Sequence, residues 1–189
     1  MGVALDILVL ASASPQRRAI LAEFGIPFEV CPAGVEEETV GAPADVVVRN
    51  ALRKARAARA EVGPDRLVLG ADTEVFLDGR VFGKPADEPE ARRFLEALSG
   101  RTHEVLSGVA LLDAESERTG VERTAVTFHP LGPDAIDRYL ATGEWRGRAG
   151  GYAVQGHGEA LVASIEGDYW NVVGLPVSLL FALRPELKP

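Results

Sequence analysis

The residues best suited to chemistry near the start of the chain follow a short apolar run, Ile7 to Ala11, and form the segment Ser12 to Arg18. This segment contains serine hydroxyls, a proline that can begin a helix, and two adjacent arginines. Backbone N–H groups at a helix N-terminus attract anions, and hydroxyls and guanidinium groups can complete such a site. An ordinary helix N-cap followed by surface arginines fits the same residues. The segment alone leaves both interpretations open.

Asp72 is the most informative acidic residue, because it lies within an apolar run that predicts a buried strand over 67–76. Burial of a carboxylate is costly unless a cation or hydrogen bonds compensate its charge. Gly70 and Ala71 precede it and leave room for a ligand to approach the backbone. The alternative is an aspartate that caps a turn, but the apolar run continues beyond it. We therefore predict that Asp72 is a functional residue.

Lysine is rare in this chain, since only three of its 20 basic residues are lysines, namely Lys54, Lys84 and Lys188. Lys188 lies in the C-terminal tail, where we expect it to be solvated. Lys54 and Lys84 are candidates for point-charge contacts to phosphate, with an ordinary surface lysine as the alternative for each. Pro85 restricts Lys84 to extended backbone, and a hairpin turn predicted at 78–79 brings this segment back alongside the preceding strand.

Two further features have both an ordinary and a functional explanation. The acidic run 36–38 is either a solvated charge cluster or a source of one carboxylate that joins Asp72 in holding Mg²⁺. Gln155, which Gly156 follows, either completes a turn or uses its amide to recognise the edge of a nucleobase. The three histidines show no spacing typical of a metal site or a catalytic triad, and no Walker A or dinucleotide-binding motif is present.

Length and composition limit the class of protein. The chain has 189 residues, of which 47% are hydrophobic and 25% charged, as is typical of one globular domain or two small lobes. A formal net charge of −8 argues against nonspecific binding to nucleic acid. No apolar run is long enough to cross a bilayer, and the N-terminus lacks the basic region of a signal peptide. Cys31 has no other cysteine to pair with, so we expect a reduced, cytoplasmic setting.

Strand patterns alternate with helix patterns along the chain. We predict strands near 7–11, 27–30, 67–76, 81–82, 103–113, 121–129 and 160–166. We predict helices near 15–24, 44–62, 87–98, 133–142 and 176–183. The alternation indicates an α/β fold, and the hairpins indicate a mixed sheet rather than a purely parallel one.

A series of short motifs runs in order along nearly the whole chain. They are LASASP at 10–15, VEE at 35–37, ADT at 71–73, GKP at 83–85, LSG at 98–100, AGGY at 149–152, QG at 155–156 and NVVGLP at 171–176. Together these motifs resemble those of the Maf family of nucleoside triphosphate pyrophosphatases. Each motif alone is weak, and their common order makes the resemblance specific.

The resemblance implies a mixed α/β fold with a twisted sheet and flanking helices, in two lobes around a central cleft, similar to inosine triphosphate pyrophosphatases. It implies a single domain over 1–189 that cleaves a nucleoside triphosphate to the monophosphate and pyrophosphate, with Mg²⁺ or Mn²⁺ as cofactor. It also implies a cytoplasmic protein and often a homodimer. Because the family is associated with cell-division arrest, a nucleotide-binding regulator of septum formation without turnover is the alternative to an enzyme.

By the same resemblance, Asp72 is the proton acceptor and, with Glu37, a metal ligand. The family's substrate-binding positions are matched by Ser12, Arg17, Lys54 and Lys84. Its positions for base preference are matched by Gln16, Thr73 and Gln155. Thr73 and Gln155 agree with the branch that acts on dTTP and UTP, whereas Gln16 stands where that branch usually has arginine. We therefore predict a dTTP/UTP pyrophosphatase, with 7-methyl-GTP or inosine-type triphosphates as the alternative substrates.

Overall fold

The computed structural model describes residues 7–188, so the ends of the predicted domain, 1–6 and 189, lie outside the described residues. The strands are β1 (Leu8–Leu10), β2 (Phe28–Val30), β3 (Val68–Leu77), β4 (Arg80–Phe82), β5 (Thr102–Leu112), β6 (Glu117–Phe128) and β7 (Val162–Glu166). The α-helices are α1 (Pro15–Glu23), α2 (Pro43–Val62), α3 (Glu88–Leu98), α4 (Pro133–Thr142), α5 (Tyr169–Val173) and α6 (Val177–Leu183), and short 3-10 helices cover Ala149–Gly151, Gly156–Leu161 and Pro185–Leu187. Each predicted element is present with slightly different ends, whereas α5 and the 3-10 helices of the described residues were not predicted.

The strands form one mixed sheet in the order β2-β1-β3-β5-β6-β7, with β4 paired to β3 outside this path. β1 is parallel to both β2 and β3, whereas β4 is antiparallel to β3 and β7 is antiparallel to β6. The predicted mixed α/β fold is therefore confirmed. None of the helices within 7–188 is both long enough and apolar enough to cross a membrane.

The described chain divides into two compact units. The first takes its residues from 7–72, 107–122 and 174–188, and the second takes 73–106 and 123–173. The backbone passes from one unit into the other within β3, β5 and β6 and again directly after α5, so neither unit is a continuous segment of sequence. This division into two units agrees with the two lobes expected from the motifs.

In the first unit, α2 lies close to the sheet because two strand glycines face its backbone. A Cβ atom on Gly70 of β3 would lie 2.1 Å from the Ala51 carbonyl oxygen. A Cβ atom on Gly108 of β5 would lie 2.2 Å from the Val47 carbonyl oxygen. These distances are far shorter than van der Waals contact, so any side chain larger than hydrogen would push the helix away. The two glycines therefore set the distance between α2 and the strands.

We expect Gly70→Ala to lower the free energy of unfolding by about 2 kcal/mol, because the added methyl group must displace the α2 backbone. Gly34→Ala is the matched control, because a Cβ atom there meets no other atom within 4 Å. We expect the control to change stability by less than about 0.5 kcal/mol. Urea denaturation of both variants measures the difference, and equal stabilities would contradict the close helix–strand contact.

In the second unit, His103 lies in a buried aromatic cluster with Phe128 and Tyr152. Its side chain is 1% exposed, and its ring packs edge-on against Phe128 at a centroid distance of 4.9 Å. His103 Nε2 lies 2.8 Å from the Tyr152 hydroxyl oxygen. Burial lowers the pKa of His103 from 6.5 to about 4, because the protonated ring is poorly solvated. The folded protein therefore holds this imidazole in its neutral form at physiological pH.

The lowered pKa of His103 predicts a loss of stability in acid. Between pH 6.5 and about 4 the unfolded chain binds a proton at His103 that the folded protein does not bind, so stability falls as the pH falls through this range. Below that range both states are protonated and the effect stops. Across this whole pH range, His103 lowers the free energy of unfolding by about 3 kcal/mol.

We expect His103→Phe to reduce the difference in unfolding free energy between pH 7 and pH 4.5, measured by urea denaturation. The carboxylates contribute equally in both proteins, so their effect cancels in this comparison. His129→Asn, at an exposed histidine, is the control and should retain the wild-type pH dependence. An unchanged pH dependence in His103→Phe would show that the buried imidazole does not cause the effect.

Candidate functional site

The segment between β1 and α1 is a capped helix start whose arginine points into the protein. The hydroxyl oxygen of Ser14 accepts a hydrogen bond from the backbone N–H of Arg17 at 3.5 Å and caps α1. Ser12 Oγ accepts from Arg17 Nη1 at 3.0 Å, and Arg17 Nε donates to the Gly174 carbonyl oxygen at 3.0 Å. Arg17 is buried, whereas Arg18 is exposed. Ser14 therefore caps the helix as predicted, but Arg17 is an interior cation rather than a surface one, and the anion-site interpretation stays a prediction.

Asp72 on β3 is a buried carboxylate that two side chains of α2 contact. Its side chain is 5% exposed, and its Oδ1 lies 2.6 Å from the Nζ of Lys54. Its Oδ2 accepts a hydrogen bond from the Nδ2 of Asn50 at 3.0 Å. Asn50 and Lys54 are one helical turn apart, so they project from the same face of α2. The close contact of this helix with β3 at Gly70 brings both side chains to Asp72.

The acidic run before α2 is tied to the same helix. Glu37 Oε1 lies 2.5 Å from the Nζ of Lys54, so this ammonium bridges the carboxylates of Glu37 and Asp72. Glu38 accepts from Arg49 at 2.6 Å and from Arg53 at 2.8 Å, and these hydrogen bonds lower the pKa of Glu38. Glu37 and Glu38 thus form specific ion pairs with side chains of α2. The interpretation of this run as a solvated charge cluster does not fit these two residues.

The two groups of residues lie at the same end of a parallel pair of strands. Leu10 of β1 pairs with Leu69 of β3, and the N–H of Ala11 donates to the Leu69 carbonyl oxygen at 2.8 Å. Ser12 follows β1 directly, and Asp72 lies three residues beyond Leu69. Ligands of open α/β sheets bind at the carboxyl ends of parallel strands. The first unit therefore presents Ser12, Arg17 and the Asp72 cluster at an edge suited to ligand binding.

The remaining predicted residues belong to the second unit, apart from Gln16. Thr73 is half-buried on β3, and Lys84 and Gln155 are exposed. Lys84 follows β4 directly after Gly83. The Gly150 N–H donates a hydrogen bond to the Gly83 carbonyl oxygen at 3.1 Å, and this bond joins the two segments. Gln16 is half-buried at the start of α1, and its Oε1 accepts from the Ser14 hydroxyl at 2.8 Å.

The donor atoms around Lys54 suit a hard divalent cation. Among residues 7–188 no group of three or more histidine, cysteine, aspartate or glutamate side chains is arranged to hold a metal. Asp72 and Glu37 nevertheless direct carboxylate oxygens at one common positive charge, the Lys54 ammonium. Mg²⁺ is usually held by one or two carboxylates together with substrate phosphates and water. The two carboxylates therefore fit such a metal when a phosphate ligand completes its coordination.

The model of the family of Maf-like proteins matches residues 7–186, which is almost the whole chain. The chain belongs to the Maf family. The resemblance inferred from the ordered motifs is therefore confirmed.

Three relatives of this Maf protein are named dTTP/UTP pyrophosphatase. The protein of Symbiobacterium thermophilum is 52% identical over 90% of this chain and 88% of its own. The protein of Moorella thermoacetica is 53% identical over 90% of this chain and 89% of its own. The protein of Bacillus cereus is 48% identical over 92% of this chain and 91% of its own. Among solved structures, a Ham1 protein of Staphylococcus aureus matches with a TM-score of 0.46 and 15% identity, covering 64% of this chain and 71% of that chain.

Reasoning from the sequence missed two groups of the site in this Maf protein. The first is Asn50, a polar side chain one turn before Lys54 on a helix face whose other buried residues are valines and alanines. That pattern is visible in the sequence and is the signal that could have found it. The second is the carbonyl oxygen of Gly174, which accepts from Arg17 although 157 residues separate them. No local pattern predicts that contact.

Proposed function

We propose that this protein hydrolyses nucleoside triphosphates of the dTTP/UTP type to the nucleoside monophosphate and pyrophosphate. The observation that carries the proposal is the 48–53% identity, over nine-tenths of the chain, with proteins named dTTP/UTP pyrophosphatase. The cluster of Asp72, Lys54 and Glu37 supports the chemistry, because it joins a buried carboxylate to a cation that can bind phosphate. We treat 1–189 as one catalytic domain, since a single family model spans both compact units.

In the proposed reaction, water attacks the α-phosphorus in line with the departing pyrophosphate. The water oxygen forms a bond to the α-phosphorus, and the bond from that phosphorus to the oxygen shared with the β-phosphorus breaks. Pyrophosphate leaves with the electron pair of the broken bond. We assign Asp72 as the group that accepts the proton from the attacking water, since a positioned carboxylate can act as a general base.

The cations of the site are assigned to the polyphosphate. Lys54 and Arg17 are buried, so a phosphate that reaches them exchanges its contacts with water for charge-assisted hydrogen bonds. Ser12 holds the Arg17 guanidinium in place and can itself donate to a phosphate oxygen. Lys84 is assigned to the same role because its ammonium is exposed on a segment with restricted backbone. These local cations explain how an acidic protein can bind a highly charged anion.

Asp72 and Glu37 are assigned as the protein ligands of Mg²⁺ or Mn²⁺. When bound, such an ion offsets the negative charge on the phosphate oxygens. Gln16, Thr73 and Gln155 are assigned to base preference, and Gln16 brings an uncharged amide to the helix start where an arginine would add a charge. The cytoplasmic setting and the homodimer remain predictions.

The experiment incubates the purified protein separately with dTTP, UTP, CTP, 7-methyl-GTP, ITP and dATP, with Mg²⁺ or Mn²⁺, and separates the products by anion-exchange chromatography. We expect monophosphate and pyrophosphate, with the highest kcat/KM for dTTP and UTP. Release of single orthophosphate would contradict the pyrophosphatase proposal. Preference for 7-methyl-GTP or ITP would keep the chemistry and overturn the assigned base, and no product from any substrate would indicate a binding protein.

A further inference from the structure

Asn50 is the most unusual residue of α2. It lies on the buried face of the helix with Lys54 and several alanines and valines, and the residue is 2% exposed. Asparagine is a weak helix former, and burial of an amide costs free energy unless its hydrogen bonds are satisfied. The amide of Asn50 therefore needs hydrogen-bond partners that offset the free-energy cost of its burial.

The amide of Asn50 makes three hydrogen bonds that together fix its orientation. Nδ2 donates to Asp72 Oδ2 at 3.0 Å and to the Glu38 carbonyl oxygen at 3.0 Å. Oδ1 accepts from the Glu38 backbone N–H at 2.7 Å. A flipped amide would place its oxygen against two acceptors and its NH₂ against a donor, so only one orientation satisfies all three contacts. Asn50 thus binds the catalytic carboxylate and the acidic run at the same time.

The contacts of Asn50 and Lys54 divide the Asp72 carboxylate between them. Lys54 donates to Oδ1 and Asn50 donates to Oδ2, so each carboxylate oxygen has its own donor. Asn50 also holds the backbone of Glu38, next to Glu37, whose carboxylate contacts the same ammonium. Because the amide is neutral, it orients Asp72 without neutralising its negative charge, as a second cation at this position would do.

We propose that Asn50 is a positioning residue of the hydrolysis, which orients Asp72 for proton acceptance and holds the acidic run in place. This inference rests on the proposed function. Misplacement of a catalytic group by about 1 Å can lower turnover by about 100-fold. The residues assigned above to the polyphosphate do not include Asn50. Loss of Asn50 should therefore lower kcat far more than it changes KM.

Asn50→Asp tests the inference with a change of one atom. The introduced carboxyl can still accept from the Glu38 N–H, but it offers no N–H donor to Asp72 Oδ2 or to the Glu38 carbonyl oxygen. The contact of Lys54 with Asp72 Oδ1 stays in place, so the variant removes one of the two contacts that orient this carboxylate.

We expect kcat of Asn50→Asp to be about 100-fold below wild type, with KM changed by less than about threefold. The kinetics use dTTP and a direct assay of pyrophosphate, with wild type measured in parallel. Circular dichroism confirms that each protein is folded.

Asn171→Asp is the matched control, because Asn171 is also fully buried and donates through Nδ2 to the Val105 carbonyl oxygen and to Thr124 Oγ1, both at 3.0 Å. This variant also introduces a buried carboxyl, but the carboxyl has no contact with Asp72. Its kcat should therefore stay within about threefold of wild type. The comparison separates the positioning of Asp72 from a general loss of stability.

Asn50→Ser provides a second test if Asn50→Asp does not fold, since it removes the amide without adding a charge. We expect kcat to fall about tenfold or more, with KM within about threefold of wild type. Wild-type kcat in either variant, or a rise in KM that matches the fall in kcat, would overturn the positioning role while the proposed function stands. A wild-type protein that releases no pyrophosphate would overturn the proposed function and the inference with it.

Discussion

Asp72→Asn should reduce kcat for dTTP by about 1,000-fold while the protein remains folded. The amide has nearly the shape of the carboxylate, but it cannot accept a proton from water at neutral pH. The fold should survive because the Lys54 ammonium keeps a second partner, the Glu37 carboxylate at 2.5 Å. Single-turnover release of pyrophosphate measures the chemical step, and circular dichroism measures the folded structure.

Asp137→Asn is the matched control for this prediction. It makes the same chemical change at an exposed side chain of α4 whose ion pair is with Arg92. Surface ion pairs contribute at most about 1 kcal/mol, so activity and stability should remain close to wild type. Wild-type turnover in Asp72→Asn would remove Asp72 from the reaction and would leave the buried carboxylate with a purely structural role.

Lys54→Met should lower both activity and stability. We expect kcat/KM for dTTP to fall by about 100-fold, because the variant loses a buried cation that offsets charge on the polyphosphate. We also expect the free energy of unfolding to fall by about 3 kcal/mol, because Asp72 is left buried without its ion-pair partner. Steady-state kinetics and urea denaturation measure the two effects separately.

Lys188→Met removes the same charge from the exposed C-terminal tail and should change neither property. The double variant Lys54→Met/Asp72→Asn shows whether the ion pair causes the loss of stability. Once Asp72 is replaced by a neutral amide, no buried charge is left unpaired, so the double variant should be more stable than Lys54→Met alone. A loss of stability equal to the sum of the two single losses would mean that Lys54 and Asp72 are not coupled.

Much of the fold could be predicted from local patterns. Pro15 and Pro133 begin helices α1 and α4, and the Asp78–Gly79 turn joins β3 to β4, because proline and glycine restrict the backbone wherever they occur. Helix α5 was missed because it has only five residues and shows too little periodicity to be recognised.

The sequence allowed the residues of the candidate site to be predicted, but not the contacts between them. Asp72 could be identified because an acidic residue within an apolar strand is rare, and the order of the motifs showed the family. The half-buried Gln16 and Thr73, and the exposed Gln155, carry no such local signal. Their assignment to base preference depends on resemblance alone.

The sequence by itself determined the family, the order of strands and helices, and the presence of the buried carboxylate of Asp72. Only the tertiary structure decided which side chains contact Asp72. Asp72 lies 18 residues from Lys54 and 22 from Asn50, and these groups meet because Gly70 lets α2 approach β3. Periodicity and turn preferences act over a few residues, whereas such contacts depend on how distant segments pack. Arg17 likewise became an interior cation only through the packing that surrounds it.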